Sequence, residues 1–334
     1  MATEIRALRE DELEAHSALV HASYYEYVVS GERTFLADPH WWLKSALADP
    51  NYEPEQTRVM AIDGQLVASV TNYTRRMYAD GRIGKASCIG SVCTHPDFRK
   101  RGLVRQVLAE SIEWMELEGY NWSLLYGKEE VYGGSGWTIL ASWDVTADLH
   151  LRDEFGTGLT QREADPESDI SVLASLYDAF CGKLTGPIQR SEAYWRLRVL
   201  GGRYGNAGPK YQIIESDMHP IGYYVGGEGN VTELAWAERG HDIVAFILGQ
   251  FAGQPVRFPL GSATMLQTLR EISTVPGYQA VQAKPGSVHL SESYKGLWRY
   301  IGPGNGQFPE ISDTESLKRF MRDHGYCFWG VDGF

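Results

Sequence analysis

No apolar run in the 334 residues approaches the roughly 20 that a membrane-crossing helix needs, so nothing in the sequence reads as a bilayer span. The mixed, acidic start from Met1 to Glu14 has neither the basic-then-apolar layout of a signal peptide nor the acid-poor pattern of a transit peptide. A cytoplasmic protein is therefore expected, with no membrane partner. Cysteine is scarce: Cys88, Cys93, Cys181 and Cys327 match no C-x-x-C or paired zinc spacing, which points to a reducing compartment and against structural metal. Cys88 and Cys93, on one strand, read as small core residues. The nine histidines form no H-x-x-x-H or H-E-x-x-H pair, so no catalytic metal is expected. Basic charge is in the minority, 31 Lys and Arg against 43 Asp and Glu. The net charge of −12 repels nucleic acid and suits a cationic small molecule or peptide; self-association stays open.

Against that acidic background, Arg99, Lys100, Arg101 and Arg105 form a local positive cluster in the most ordered-looking stretch of the chain. Ile89 to Thr94 reads as a buried strand, His95-Pro96-Asp97 as its end, and Leu103 to Glu118 as an amphipathic helix. Val104, Val107, Leu108, Ile112 and Met115 make its apolar stripe. A lone basic turn reads as solvated surface. Between a strand and a helix start, Arg99-Lys100-Arg101-Gly102 instead gathers cations, free N–H groups and the positive end of a helix dipole, an anion site sized for a pyrophosphate.

Around this stretch the spacing predicts helices over Asp11–Val29 and around Trp41-Trp42, then strands Thr57–Ile62 and Gln65–Tyr73 about the Asp63-Gly64 turn. Asp80-Gly81 leads into the strand ending at Thr94. Trp122–Gly127 reads as the next parallel strand of a β-α-β unit, and a long strand runs from Thr138 to about Leu151. Residues 154–168 are polar and are expected as a linker. Helix, Trp-bearing helix, hairpin and third strand then recur from Ile170 to Ala237, a weak two-fold repeat. Its counterpart of the basic turn is Ala237-Glu238-Arg239-Gly240, where Glu238 opposes a phosphate. A strand at Leu297–Ile301, a helix over Thr314–His324 and an aromatic end from Tyr326 to Phe334 complete the chain, and that apolar end is expected to be docked.

The first 150 residues resemble GNAT-type acyl-CoA-dependent acetyltransferases. Arg99-x-x-Gly102-x-Val104 matches the family's Arg/Gln-x-x-Gly-x-Gly/Ala turn except at Val104, and Arg-x-Arg-Gly-Leu followed by an apolar residue and Arg is similar to the Eis branch, which joins an active and a degenerate GNAT domain. The resemblance implies an α/β fold of two tandem GNAT-like domains, each a mixed sheet flanked by helices: an active one at 1–153, the linker, a degenerate one at 169–295, and a C-terminal tail, 296–334, completing the active site. It implies acetyl-CoA as co-substrate, with Val92, Cys93 and Thr94 along its pantetheine arm and Arg99, Lys100, Arg101, Gly102, Leu103 and Val104 around its pyrophosphate. Tyr132, four residues before Gly136-Trp137, matches the phenol that protonates the departing thiolate; its plain reading is an aromatic packed near Trp137. The C-terminal carboxylate of Phe334 matches the family's general base, beside the equal alternative of a terminus that merely packs. Tyr24, Glu26 and Trp41 are candidates for the acceptor pocket, although aromatics at that spacing also read as core.

The expected reaction is transfer of an acetyl group to a primary amine by direct attack. Transfer of another acyl group, or acyl-CoA binding without turnover, remains the alternative.

Overall fold

The computed structural model describes residues 2–31, 34–148, 158–202, 207–251, 254–258, 263–274, 288–329 and 332. Among them the strands form one mixed sheet of twelve, flanked by helices.

The first half opens with β1 (Thr3–Ala7), which pairs antiparallel with β2 (Thr57–Ile62). Between them lie helices α1 (Leu13–Val29) and α2 (Trp41–Leu47). β3 (Gln65–Ala79) and β4 (Arg82–Thr94) follow. Both hairpins turn on Asp-Gly pairs with positive φ at each residue: 50° and 84° at Asp63-Gly64, 51° and 72° at Asp80-Gly81. That is the turn whose twist matches paired strands, so these dipeptides fix the register of the sheet. Helix α3 (Leu103–Leu117) crosses to β5 (Trp122–Leu125), which lies parallel to β4. The short helix α4 (Glu129–Tyr132) precedes β6 (Thr138–Ala147).

The second half repeats this order with β7 (Leu159–Glu163), helices α5 (Ile170–Cys181) and α6 (Glu192–Tyr194, continued as a π-helix to Leu200), and strands β8 (Gln212–Ser216), β9 (His219–Gly227) and β10 (Asn230–Trp236). Helix α7 (Gly240–Gln250) then leads to β11 (Val256–Phe258), parallel to β10. After α8 (Ala263–Thr274) comes the long β12 (Val288–Tyr300), and α9 (Thr314–Asp323) precedes the tail.

Two expectations need correction. The segment expected as a linker contributes β7, whose period-2 pattern is hidden because only Leu159 of its five residues is buried. The strand expected at Leu297–Ile301 begins at Val288, across the boundary placed at 295/296. The order at the centre of the sheet, β5-β12-β6-β11, shows why that boundary misleads. β12 enters the first half between β5 and β6, while β6 pairs with β11 of the second, so each half is completed by a strand of the other. The strand expected to reach about Leu151 is described to Ala147; Leu151 lies outside the described residues.

In the first half, α3 covers one sheet face over Val67, Ala68, Ile89 and Leu125, and α1 with α2 covers the other over Val59, Leu66 and Cys93. The site lies where β4 emerges between these layers.

Candidate active site

β4 and β5 pair only from Ala86↔Trp122 to Ile89↔Leu125. Beyond Ile89 the two strands part, and the edge of β4 from Gly90 to Thr94 has no residue of β5 beside it. On its other edge β4 keeps pairing with β3, but with a bulge: Thr71 faces Gly90 and Ser69 faces Cys93, so Ser91 and Val92 together oppose Val70. Ser91 takes a left-handed φ of 49°. Val92–Thr94 follow this bulge along the edge that β5 leaves, where the carbonyls and N–H groups of an extended ligand could pair. One carbonyl is already engaged, since the Tyr24 hydroxyl donates to the Val92 oxygen at 2.7 Å.

The basic turn follows at once. Pro96–Phe98 forms a single 3-10 turn with His95 as its N-cap, Lys100 and Gly102 adopt left-handed φ of 63° and 71°, and α3 starts at Leu103. Gly102 caps the helix without a side chain over its free N–H groups, and the first turn carries no acid. A cavity of about 320 Å³ opens there, lined by Thr94, Lys100, Gly102, Val104 and, from α4, Glu130 and Val131. The basic residues divide their work. Arg99 turns away to helix α1, donating to the Ser23 carbonyl at 2.7 Å and pairing with Glu26 at 3.3 Å. Arg101 donates to the Asp97 carbonyl and lies over Phe98. Among the described residues Lys100 and Arg105 make no ion pair, and they remain for a ligand's charge. Leu103 and Val104 open the helix, and Val104 packs its side chain on the α3 core.

Tyr132 ends α4, whose Glu130 and Val131 line that cavity. Its ring is half-buried against the α3 core and rests on Gly127, where a Cβ would collide with it. Burial pushes the phenol up to about 12. The following turn is held from the other half of the molecule: Arg299 of β12 donates to the Ser135 carbonyl at 2.8 Å and lies over Trp137. Gly136, at φ 87°, leaves room for that guanidinium. Spacing to Gly136-Trp137 located Tyr132 in the sequence. Nothing there signalled Gly127 or Arg299, whose partners are remote.

The three acceptor-pocket candidates separate. Tyr24 touches the bulge, Glu26 is exposed but occupied by Arg99, and Trp41 packs in the core between α1 and α2. Phe334 lies outside the described residues. The tail leading toward it is docked: Trp329 is buried and donates to the Cys181 sulfur at 3.3 Å, and Phe328 meets Tyr126 at the end of β5. Asp332, also buried, bonds to Arg190 at 2.9 Å, and Arg190 is held in turn by Glu233. Cys93 is buried and its thiol is raised to about 11, which makes it an inert core residue.

In the second half the corresponding helix start is closed. Arg239 caps α7 in a left-handed conformation but bonds to Asp242 of the first turn and to Ser216, and the Trp236 indole presses on Gly240. Among the described residues no group of three His, Cys, Asp or Glu is arranged to hold a metal, and no helix is long and apolar enough to cross a membrane.

A mixed sheet whose parallel strands part over an open helix start defines an acyltransferase-type fold. Comparison with known proteins agrees: residues 4–140 match the model of the acetyltransferase (GNAT) domain. Among solved structures it is similar to a probable N-acyltransferase from Enterococcus faecalis (TM-score 0.64, 13% identity, covering 90% of this chain and 73% of that one). A GCN5-related N-acetyltransferase from Anabaena variabilis gives a TM-score of 0.62 at 11% identity, with the same 90% and 73% coverage. Eis1 from Mycobacterium abscessus gives 0.60 at 14%, covering 89% of this chain and 74% of that one. At these identities the likeness is one of fold. No curated protein matches the sequence.

Proposed function

We propose that the chain transfers an acetyl group from acetyl-CoA to a primary amine of a cationic small molecule or peptide, using the first half, while the second half is a degenerate GNAT-like copy that supplies β12 and the docked tail. The observation that carries this is the convergence on one gap of the parted β4 edge, the uncapped start of α3 and the short helix α4 that bears Tyr132. The residues fit the cofactor: free N–H groups, Lys100 and Arg105 suit a pyrophosphate, and the β4 edge suits an amide-bearing arm. Bound there, acetyl-CoA would supply the thioester.

The chain's own part is positioning. Leu103 and Val104 offer main-chain N–H groups to the anion, and Val92–Thr94 hold the arm so that the thioester carbonyl meets backbone donors. Tyr132, with its raised phenol, stays protonated through the neutral range. It would give the leaving sulfur a hydrogen bond early and its proton late, as charge builds there. The net charge of −12 favours a cationic acceptor.

Thiol release from acetyl-CoA is measured against a panel of polyamines, aminoglycosides and lysine peptides. Amine-dependent release supports transfer. Tight cofactor binding with no release from any amine, or with propionyl- or longer acyl-CoA, would make the protein a binding sensor instead.

A further inference from the structure

The bulge at Ser91–Val92 is conformationally expensive. A serine at φ 49° occupies a region that costs an L-residue with a Cβ far more than it costs glycine. Something must hold it, and the groups that touch it come from α1 and β3. Ser69 of β3 is fully buried; its hydroxyl lies 3.1 Å from the Cys93 sulfur and 3.5 Å from the Ser91 carbonyl, on either side of the bulge. Behind Ser69 stands His16 of α1, its Nε2 2.9 Å from the same hydroxyl. Its ring meets Trp42 edge-on at 4.1 Å. His16 has no solvent exposure, and burial lowers its pKa to about 3, so at neutral pH it is an uncharged hydrogen-bonding partner. From the end of α1 nearer the gap, Tyr24 ties the Val92 carbonyl.

We infer that His16 and Ser69, with Tyr24, clamp the left-handed bulge at Ser91 and are positioning residues for acyl transfer, acting through the backbone of Val92–Thr94 rather than by touching either substrate. The inference rests on the proposed role of that backbone in holding the thioester. Its physical content is that α1, although remote in sequence, sets the direction of the donors facing the gap. The Ser69 hydroxyl, with one proton to donate, is confined between a neutral imidazole, a thiol and the Ser91 carbonyl, and these neighbours limit its rotation. The flexible arm of the cofactor would still bind without the clamp, because its anchorage lies at the start of α3. The reacting carbonyl would then meet a backbone free to leave the bulged form.

The test uses the full chain with Ser69→Ala, His16→Phe, and Ser69→Ala combined with Ser91→Gly. His16→Phe keeps a ring against Trp42 and removes Nε2; if it fails to fold, the smaller Ser69→Ala carries the test alone. Expected for Ser69→Ala is a kcat lower by between about tenfold and a hundredfold, the scale of a sub-ångström to ångström misplacement, with KM and affinity for acetyl-CoA within about twofold. Adding Ser91→Gly, which removes the cost of the left-handed backbone, should restore most of the lost kcat. A loss due merely to poor packing would not be repaired at a position on the other strand. Wild-type kcat in folded Ser69→Ala, or no recovery with Ser91→Gly, would overturn the clamp. If the wild-type protein turns over no acyl donor at all, the catalytic reading fails by itself. Amide hydrogen exchange over Ser91–Thr94 then decides the clamp: faster exchange in Ser69→Ala sustains it and unchanged exchange overturns it.

Discussion

Tyr132 holds its proton more firmly than a free phenol because its ring is seated against the α3 core, and that seat depends on a glycine at position 127. Tyr132→Phe preserves the seat and removes only the donor, so kcat should fall by about 10²-fold while affinity for acetyl-CoA is unchanged. Wild-type turnover in this variant would return the residue to a packing role. His16 gives a second prediction, about stability. Its folded pKa is lowered by burial from about 6.5 to about 3, so above pH 6.5 the ring is neutral in both states and has no effect. As pH falls below 6.5 the unfolded chain takes up a proton that the folded one refuses, and stability is lost at about 1.4 kcal/mol per pH unit until pH approaches the folded value. Between pH 7 and pH 5, urea unfolding of the wild type should lose about 2 kcal/mol more than that of His16→Phe. Equal losses would mean that His16 is not buried neutral. Gly102 at the start of α3 was legible in the sequence because its landmarks lie within a few residues. His16 and Ser69 were not, since 53 residues separate them and neither has a motif.

At the scale of elements, the strand-turn-helix from β4 to α3 was readable in order and nearly to the residue because each local signal agreed: an apolar strand, a proline break, a glycine at the helix start and a stripe of helical period. What the sequence did not give away is how the basic residues share their charges, because Arg99 finds its partners on α1, more than seventy positions earlier. Gly102→Asp tests the element itself. Aspartate tolerates the left-handed region better than most residues and makes a good N-cap, so the fold should survive, but its carboxylate would occupy the anion site. Affinity for acetyl-CoA by calorimetry should weaken by at least about tenfold, an interaction of roughly 1.4 kcal/mol or more between like charges. Arg239→Gly, at the closed start of α7, should leave that affinity unchanged. Equal affinity in the Gly102 variant would remove the cofactor from this loop. β12 was legible only in its last residues, where Leu297, Trp298 and Ile301 mark a buried strand; its start among polar residues and its destination between β5 and β6 were not, since a strand's partners are set by the whole sheet.

For the whole molecule, the order of strands in the first half recurs in the second, while one sheet interleaves strands of both. β12 pairs with β5 over Trp122–Leu125 and with β6 from Thr138 to Ala147, and β6 in turn carries β11. Removing everything after residue 153 would leave the β5 edge unpaired and strip Trp298 and Leu297, both essentially buried, from the first half. Burying side chains of that size is worth about 1.5–3 kcal/mol each, a large fraction of the about 5–15 kcal/mol that keeps a domain folded. A second link joins the halves directly, since the Tyr78 hydroxyl of β3 donates to Asp178 of α5 at 2.8 Å. The fragment 1–153 made alone should therefore aggregate or remain partly folded, an exposed sheet edge being a template for association. The intact chain should unfold in one calorimetric transition, with tryptophan fluorescence and far-ultraviolet dichroism changing together. Two resolved transitions, or a soluble 1–153 fragment with native near-ultraviolet dichroism, would show that the interleaved strands are an ornament on two independent domains rather than what holds the Arg299 side of the active site in place.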